Sequence, residues 1–140
     1  MKFPDWLEVY GDKGFRGECP KEDAELTTFF NQLRATMPET SSLVFHVSNE
    51  GKRTYRQAKF ASMKGMVPGM ADIVCVGARA GLIEMKRLDH TKSTWQKNQL
   101  QVLKDAKEAG AFVCVALGWE SAMDAVKEWR KCLGGIRYEN

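Results

Sequence analysis

The chain has 140 residues, 44% hydrophobic and 28% charged, with a formal net charge of +3. That length suits one domain around one core, and the composition excludes the disordered and low-complexity classes. No apolar run approaches the roughly 20 residues of a membrane span, and MKFPDWLEVYGDKG lacks the continuous apolar stretch of a secretory signal.

Residues 1–19 show little periodicity and carry the turn formers Pro4, Gly11, Gly14 and Gly17, so they read as an irregular arm. PKEDAELTTFFNQLRATMP reads as a helix. Pro20 suits its first turn, Glu22, Asp23 and Glu25 complement the N-terminal dipole, and Pro38 ends it. Leu26, Phe29, Phe30, Leu33 and Met37 recur at helical spacing and predict a core face. Glu22, four residues before Leu26, falls on that inward side.

SLVFHV (42–47) predicts a short strand. A basic, glycine-punctuated stretch follows, with a short helix expected around Tyr55 to Met63. ADIVCV (71–76), the turn GARAG and LIEMKR (82–87) predict a hairpin. KSTWQKNQLQVLKDAKEAG predicts a second long helix, with Ser93 or Thr94 as N-cap and Gly110 as stop. AFVCVAL (111–117) is a fully apolar strand, and WESAMDAVKEWRKCLGG an amphipathic helix ending at Gly134. The order helix, strand, strand, strand, helix, strand, helix predicts an α/β fold: one domain over residues 1–140, with a mixed central sheet and helices on both faces.

The four cysteines, at 19, 75, 114 and 132, form no Cys-x-x-Cys pair, which argues against a zinc site. Cys75 and Cys114 sit in apolar runs and read as core residues. Free thiols point to a reducing, cytoplasmic location. From Gly51 through Ala71 there are five basic residues, Lys52, Arg53, Arg56, Lys59 and Lys64, and no acidic one. Such a stretch fits a phosphate-binding footprint as well as a solvated basic loop.

Side chains alternate faces along a strand, so Glu84 and Lys86 share one face while Ile83 and Met85 share the other. Antiparallel pairing brings Asp72, at the start of one hairpin strand, toward Glu84, near the end of the other. An isolated Glu-x-Lys on a strand is usually a solvated ion pair. Beside a second carboxylate it gains another meaning. Two nearby carboxylates repel unless a cation sits between them, and hard oxygen donors suit Mg²⁺ or Mn²⁺. A neighbouring lysine can orient water or stabilise charge developing on a phosphate, so the trio fits metal-assisted phosphodiester hydrolysis.

PGMADIVCVGARAGLIEMKR resembles the PD-(D/E)XK nuclease motif. Its flanks are similar to the virus-type replication-repair nuclease (VRR-NUC) domain. HVSNEGKR resembles the Asn-x-Gly-x-Arg region of phage members, KGMVPGMAD their Gly-x-x-x-Gly-x-Pro-Asp turn, and TWQKNQ the glutamine opening their next helix. One departure is Ala71, where the family has proline before the motif aspartate.

The resemblance runs from about Glu22 to the final helix and implies a restriction-endonuclease-like αβββαβ core. It also implies Asp72, Glu84, the Met85 backbone carbonyl and Glu22 as metal ligands, Lys86 as catalytic lysine and Gln99 as the helix-opening glutamine. Glu25 and Gln96 are the alternatives to Glu22 and Gln99. Small members of the family resemble homodimeric junction-resolving enzymes. The implied activity is therefore a Mg²⁺- or Mn²⁺-dependent DNA endonuclease favouring branched DNA such as four-way junctions. Flap or nicked DNA, or a non-catalytic nucleic-acid-binding module on the same scaffold, are the alternatives. Lys52, Arg53, Arg56, Lys59 and Lys64 would track the DNA backbone. Glu84→Ala or Lys86→Ala is expected to abolish cleavage and leave folding largely intact.

Other residues read more plainly. His46 fits a partly buried structural histidine, and His90 lies in a polar loop. Ser93 reads as a cap, and Trp95, Trp119, Met123 and Trp129 as packing residues.

Overall fold

The acidic run Glu22, Asp23 and Glu25 opens helix α1, Glu22–Thr36, with Lys21 as its N-cap. The structure is a computed structural model that describes residues 1–47 and 54–131. Leu26, Phe29 and Leu33 repeat at helical spacing and are all buried. Pro38 does not release the chain into a loop. Lacking an N–H, it takes the first position of a second short helix, α2, Pro38–Ser41.

The strands are β1 (Glu8–Tyr10), β2 (Val44–His46), β3 (Ile73–Cys75), β4 (Gly81–Lys86) and β5 (Phe112–Leu117). They form one sheet in the order β1-β5-β4-β3-β2. β2, β3 and β4 pair antiparallel, whereas β4 with β5 and β5 with β1 pair parallel. A parallel β4–β5 pair needs a crossover, supplied by α4, Gln99–Glu108. Helix α5, Trp119–Lys131, completes the described chain. The αβββαβ core and the mixed sheet expected from the sequence are both present.

Two expectations change. The N-terminal arm is not wholly irregular: Glu8, Val9 and Tyr10 pair with Cys114, Val115 and Ala116 as an edge strand. Three residues carry no readable period, and the apolar β5 beside them supplies the template. The helix expected from Ser93 or Thr94 begins at Gln99 instead, after a 3₁₀ turn at His90–Lys92 and a left-handed Asn98 at φ 73°. Ser93 and Thr94 are bonded elsewhere.

The sheet separates two apolar layers. On one face, α1 and α5 bury Phe29, Leu33, Val126 and Trp129 against Ile83, Met85 and Cys114. On the other, α4 and the arm bury Leu103 and Leu7 against Leu82, Val113 and Val115. Every residue of β4 and β5 is buried. Helix α3, Tyr55–Met63, lies where expected and opens with a reciprocal Thr54–Gln57 capping box, yet none of its residues is buried.

Trp129 is fully buried, and its indole N–H donates to the Arg79 carbonyl at 2.6 Å. Trp129→Ala removes the largest buried side chain and that bond. Urea denaturation should show a loss of about 3–5 kcal/mol.

Candidate active site

The site begins with hairpin register. Ile73 pairs with Ile83 and Val74 with Leu82, and one further step sets Asp72 opposite Glu84. Each carboxylate then holds the other's strand. The Asp72 N–H donates to Glu84 Oε1 at 3.2 Å, and the Met85 N–H donates to Asp72 Oδ2 at 3.1 Å. His46 Nδ1 lies 2.7 Å from the Asp72 carbonyl and, facing an acceptor, carries the proton there.

Glu84 and Lys86 are both only 1% exposed, with Lys86 Nζ 3.4 Å from Glu84 Oε2. Strand β4 places them there because the period-two alternation that sends Ile83 and Met85 into the α1/α5 layer turns these two to the α4 side. The ammonium also donates to the Thr94 carbonyl at 2.8 Å and to Gln99 Oε1 at 3.1 Å, and it sits 5.2 Å from the centre of the Trp95 ring. A charge so deep in the fold persists only with this many partners.

Gln99 ties the pair together. Its Nε2 donates to Glu84 Oε2 at 2.6 Å, and its Oε1 accepts from Lys86 and from the Gln96 N–H at 2.8 Å. Gln96 itself is exposed, so Gln99 is the glutamine that joins the carboxylate to the lysine. Gly69 makes this possible. It has φ +81°, and a Cβ there would approach Gln99 N at 2.9 Å and Asn98 C at 2.8 Å.

Glu22 accepts from the Ser93 hydroxyl at 2.6 Å, and Ser93 Oγ in turn accepts from the Arg87 N–H at 3.1 Å. The Arg87 side chain donates to the carbonyls of Cys19 and Pro20, fixing the entry into α1. Glu22, Asp72, Glu84 and Gln99 line one cleft of about 550 Å³. Glu25 is elsewhere. It is buried under Gly118 and accepts from the Trp119 N–H at 3.3 Å, so Glu22 and its neighbour Asp23, not Glu25, are the acidic residues α1 presents to the cleft.

The electrostatics are those of too much negative charge in too little water. Burial pushes the Asp72 carboxyl up to about 6, and Glu22 adds to the rise; the Met85 N–H, Lys86 and His46 oppose it. Burial and Asp72 push Glu84 well above the usual carboxylate range, against the pull of Lys86. Among the described residues no three His, Cys, Asp or Glu side chains form a ready-made metal cage. The facing pair, with Glu22 across the same cleft, is nevertheless an all-oxygen donor set. A hard divalent cation fits it and would relieve the repulsion.

Of the basic stretch, Arg56, Lys59 and Lys64 are exposed on or just after α3 and do not line the acidic cleft, while Lys52 and Arg53 lie outside the described residues. Sequence reasoning missed four contributors. Ser93 holds Glu22, Thr94 offers its carbonyl, Trp95 lies under the ammonium, and Lys97 lines the cleft wall. All four sit in the loop before α4, and only the late helix start at Gln99 exposes their role.

No protein-family model matches the chain, and no curated protein matches it at a significant level. A solved structure titled "VRR_NUC domain protein" is similar, with a TM-score of 0.64 and 20% sequence identity over 84% of this chain and 92% of that one. The fold is therefore that of a VRR-NUC domain, a restriction-endonuclease-like α/β architecture.

Two stability outcomes follow. Asp72 has a folded-state pKa raised from 3.8 to about 6, so the unfolded chain ionises first, and wild-type stability falls as pH rises between those values. Asp72→Asn cannot ionise. In chelator it should melt higher than wild type at pH 7–8, by up to about 3 kcal/mol, with the difference shrinking toward pH 4. Lys86→Ala leaves the Glu84 carboxylate buried without its cation. Chemical denaturation at pH 7 should show a loss of about 3–5 kcal/mol, contrary to the sequence expectation that folding would be largely unaffected.

Proposed function

We propose that the chain is a divalent-metal-dependent DNA endonuclease whose reacting centre is Asp72, Glu84 and Lys86. The observation that carries this reading is the buried, hydrogen-bonded Glu84–Lys86 pair directly beside a facing Asp72, at the wall of an open cleft. The VRR-NUC fold adds support by analogy.

Asp72, Glu84 and the Met85 carbonyl, with Glu22 directly or through water, would hold Mg²⁺ or Mn²⁺. When bound, such an ion polarises the scissile phosphate and lowers the pKa of a water, which is the chemistry hydrolysis needs. Lys86 does not line the cleft itself; from behind Glu84 and Gln99, which do, it contributes a fixed positive charge close to where charge grows on the phosphate oxygens as the nucleophile approaches. Gln99 keeps that charge aimed, because its amide oxygen and nitrogen cannot exchange places without breaking bonds to both Lys86 and Glu84. Arg56, Lys59 and Lys64 suit contacts to the DNA backbone, which position the duplex without reading its sequence. Branched DNA is the favoured substrate, and a two-fold dimer acting on a two-fold junction gives it a geometric basis. The free cysteines Cys19, Cys75 and Cys114 suit an intracellular setting.

The test is a cleavage panel of four-way junction, flap, splayed-arm and duplex DNA with Mg²⁺ or Mn²⁺. Wild type should cut branched DNA and stop in chelator. Glu84→Gln and Lys86→Met, which keep most of the side-chain bulk, should each lower the rate at least about 100-fold. Undiminished cleavage by both variants would overturn the site. In a separate melting experiment, Mn²⁺ should raise the transition of wild type and not that of Asp72→Asn.

A further inference from the structure

Strand register places an apolar row beside the acidic one. Phe45 pairs with Val74, and Val74 with Leu82, so these three side chains share the α4 side of the sheet with Asp72 and Glu84. Asp72 and Glu84 are each two residues further along their strands, roughly 7 Å away. Over this row lies a groove of about 770 Å³, walled by Phe60 of α3 and by Met66 and Met70. Its volume is within the roughly 300–1,000 Å³ of typical ligand clefts. Met70 lines both the groove and the acidic cleft, so the two adjoin.

The groove is apolar and aromatic, with Lys64 as the one charged residue in its lining and Arg56 and Lys59 in the adjoining hollow that shares Phe60. Phe45 is 45% exposed and Phe60 51% exposed. Lys64 lines the groove, and Arg56 lies over the Phe60 ring at 5.9 Å. From Thr54 to Gly65 there are three basic residues and no acidic one. Aromatic surface beside basic side chains is the combination by which proteins hold unpaired nucleotides: bases stack on rings while cations meet the phosphates. Adjacency to the acidic cleft through Met70 favours a nucleotide over a partner protein's apolar helix as the occupant.

We infer that this groove binds an unpaired base of the DNA strand whose phosphate lies in the acidic cleft, with Phe45 and Phe60 as its stacking surfaces. The inference rests on the nuclease reading of that cleft and narrows its substrate to DNA with unpaired nucleotides next to the cut. A fully paired duplex keeps its bases stacked and cannot place one in the groove without unstacking it. Flaps, splayed arms and junction centres offer such bases freely.

The experiment measures binding in chelator, so that cleavage plays no part. Fluorescence anisotropy compares three DNAs of equal length: one with a short unpaired run, one with the same run made of abasic sites, and a full duplex. Wild type should bind the base-bearing DNA roughly 5- to 100-fold more tightly than the abasic one. Phe60→Ala and Phe45→Ala should each bring that ratio toward one while leaving affinity for the abasic DNA and the duplex unchanged. Lys64→Ala should weaken all three together.

Equal binding of base-bearing and abasic DNA by wild type overturns the inference, and that comparison needs no variant to fold. So does an unchanged ratio in both phenylalanine variants. A shift of those variants from dimer to monomer in light scattering, with the ratio intact, would assign the groove to a second copy of the chain. Loss of base selectivity alongside intact Mg²⁺-dependent cleavage defeats this inference alone. Base selectivity in a protein that never cleaves supports the groove and defeats the nuclease reading.

Discussion

A carboxylate and an ammonium buried together on the central strand β4 set the terms for everything around them. Glu84 and Lys86 are 1% exposed, and taking two charges out of water costs several kcal/mol per ion before any attraction is counted. The fold answers by surrounding them with partners. The Asp72 N–H and the Gln99 amide meet Glu84, and the Thr94 carbonyl, the Gln99 oxygen and the Trp95 ring meet Lys86. These partners come from three separate stretches of chain, so satisfying one ion pair fixes the hairpin register, the path of the loop before α4 and the first residue of that helix.

The loop before α4 shows what this requirement does to local preference. Ser93 and Thr94 have the chemistry of an N-cap and lie before a helical pattern. The protein uses neither as the cap of α4. Ser93 holds Glu22 and Thr94 holds Lys86, while the helix waits until Gln99 can reach both members of the pair. The arm supports the same loop from outside. The Trp95 indole donates to the Lys2 carbonyl at 2.8 Å, and the Phe3 ring stands edge-on to Trp95 and to His90.

Much of this was legible in the sequence because it depends on short periods. Alternation along LIEMKR separated Glu84 and Lys86 from Ile83 and Met85, and antiparallel pairing put Asp72 opposite Glu84. Helical spacing turned Glu22 toward the core side of α1. What stayed hidden depends on contacts between distant segments. Strand β1 has three residues and no period; it exists because β5 offers an edge. The roles of Ser93, Thr94 and Trp95 follow from partners far away in three dimensions. Gly69 could be read as a turn residue, but its contact with the residues before α4 could not.

Rigidity is distributed unevenly around the site. On the β4–β5 side every strand residue is buried, and the charged groups are hydrogen-bonded in place, so they need little reorganisation when charge develops nearby. On the β2–β3 side the strands are three residues long, and α3 stands over the sheet with no residue buried. A close-packed α3 would fill the face of Phe45, Val74 and Leu82 and gain stability from it. It would also close the sheet face next to Asp72 and Glu84. Leaving aromatic area uncovered has a hydrophobic cost of about 25 cal/mol per Å². The buried layers of α1, α5 and α4 offset that cost on the opposite face and at the other end of the sheet.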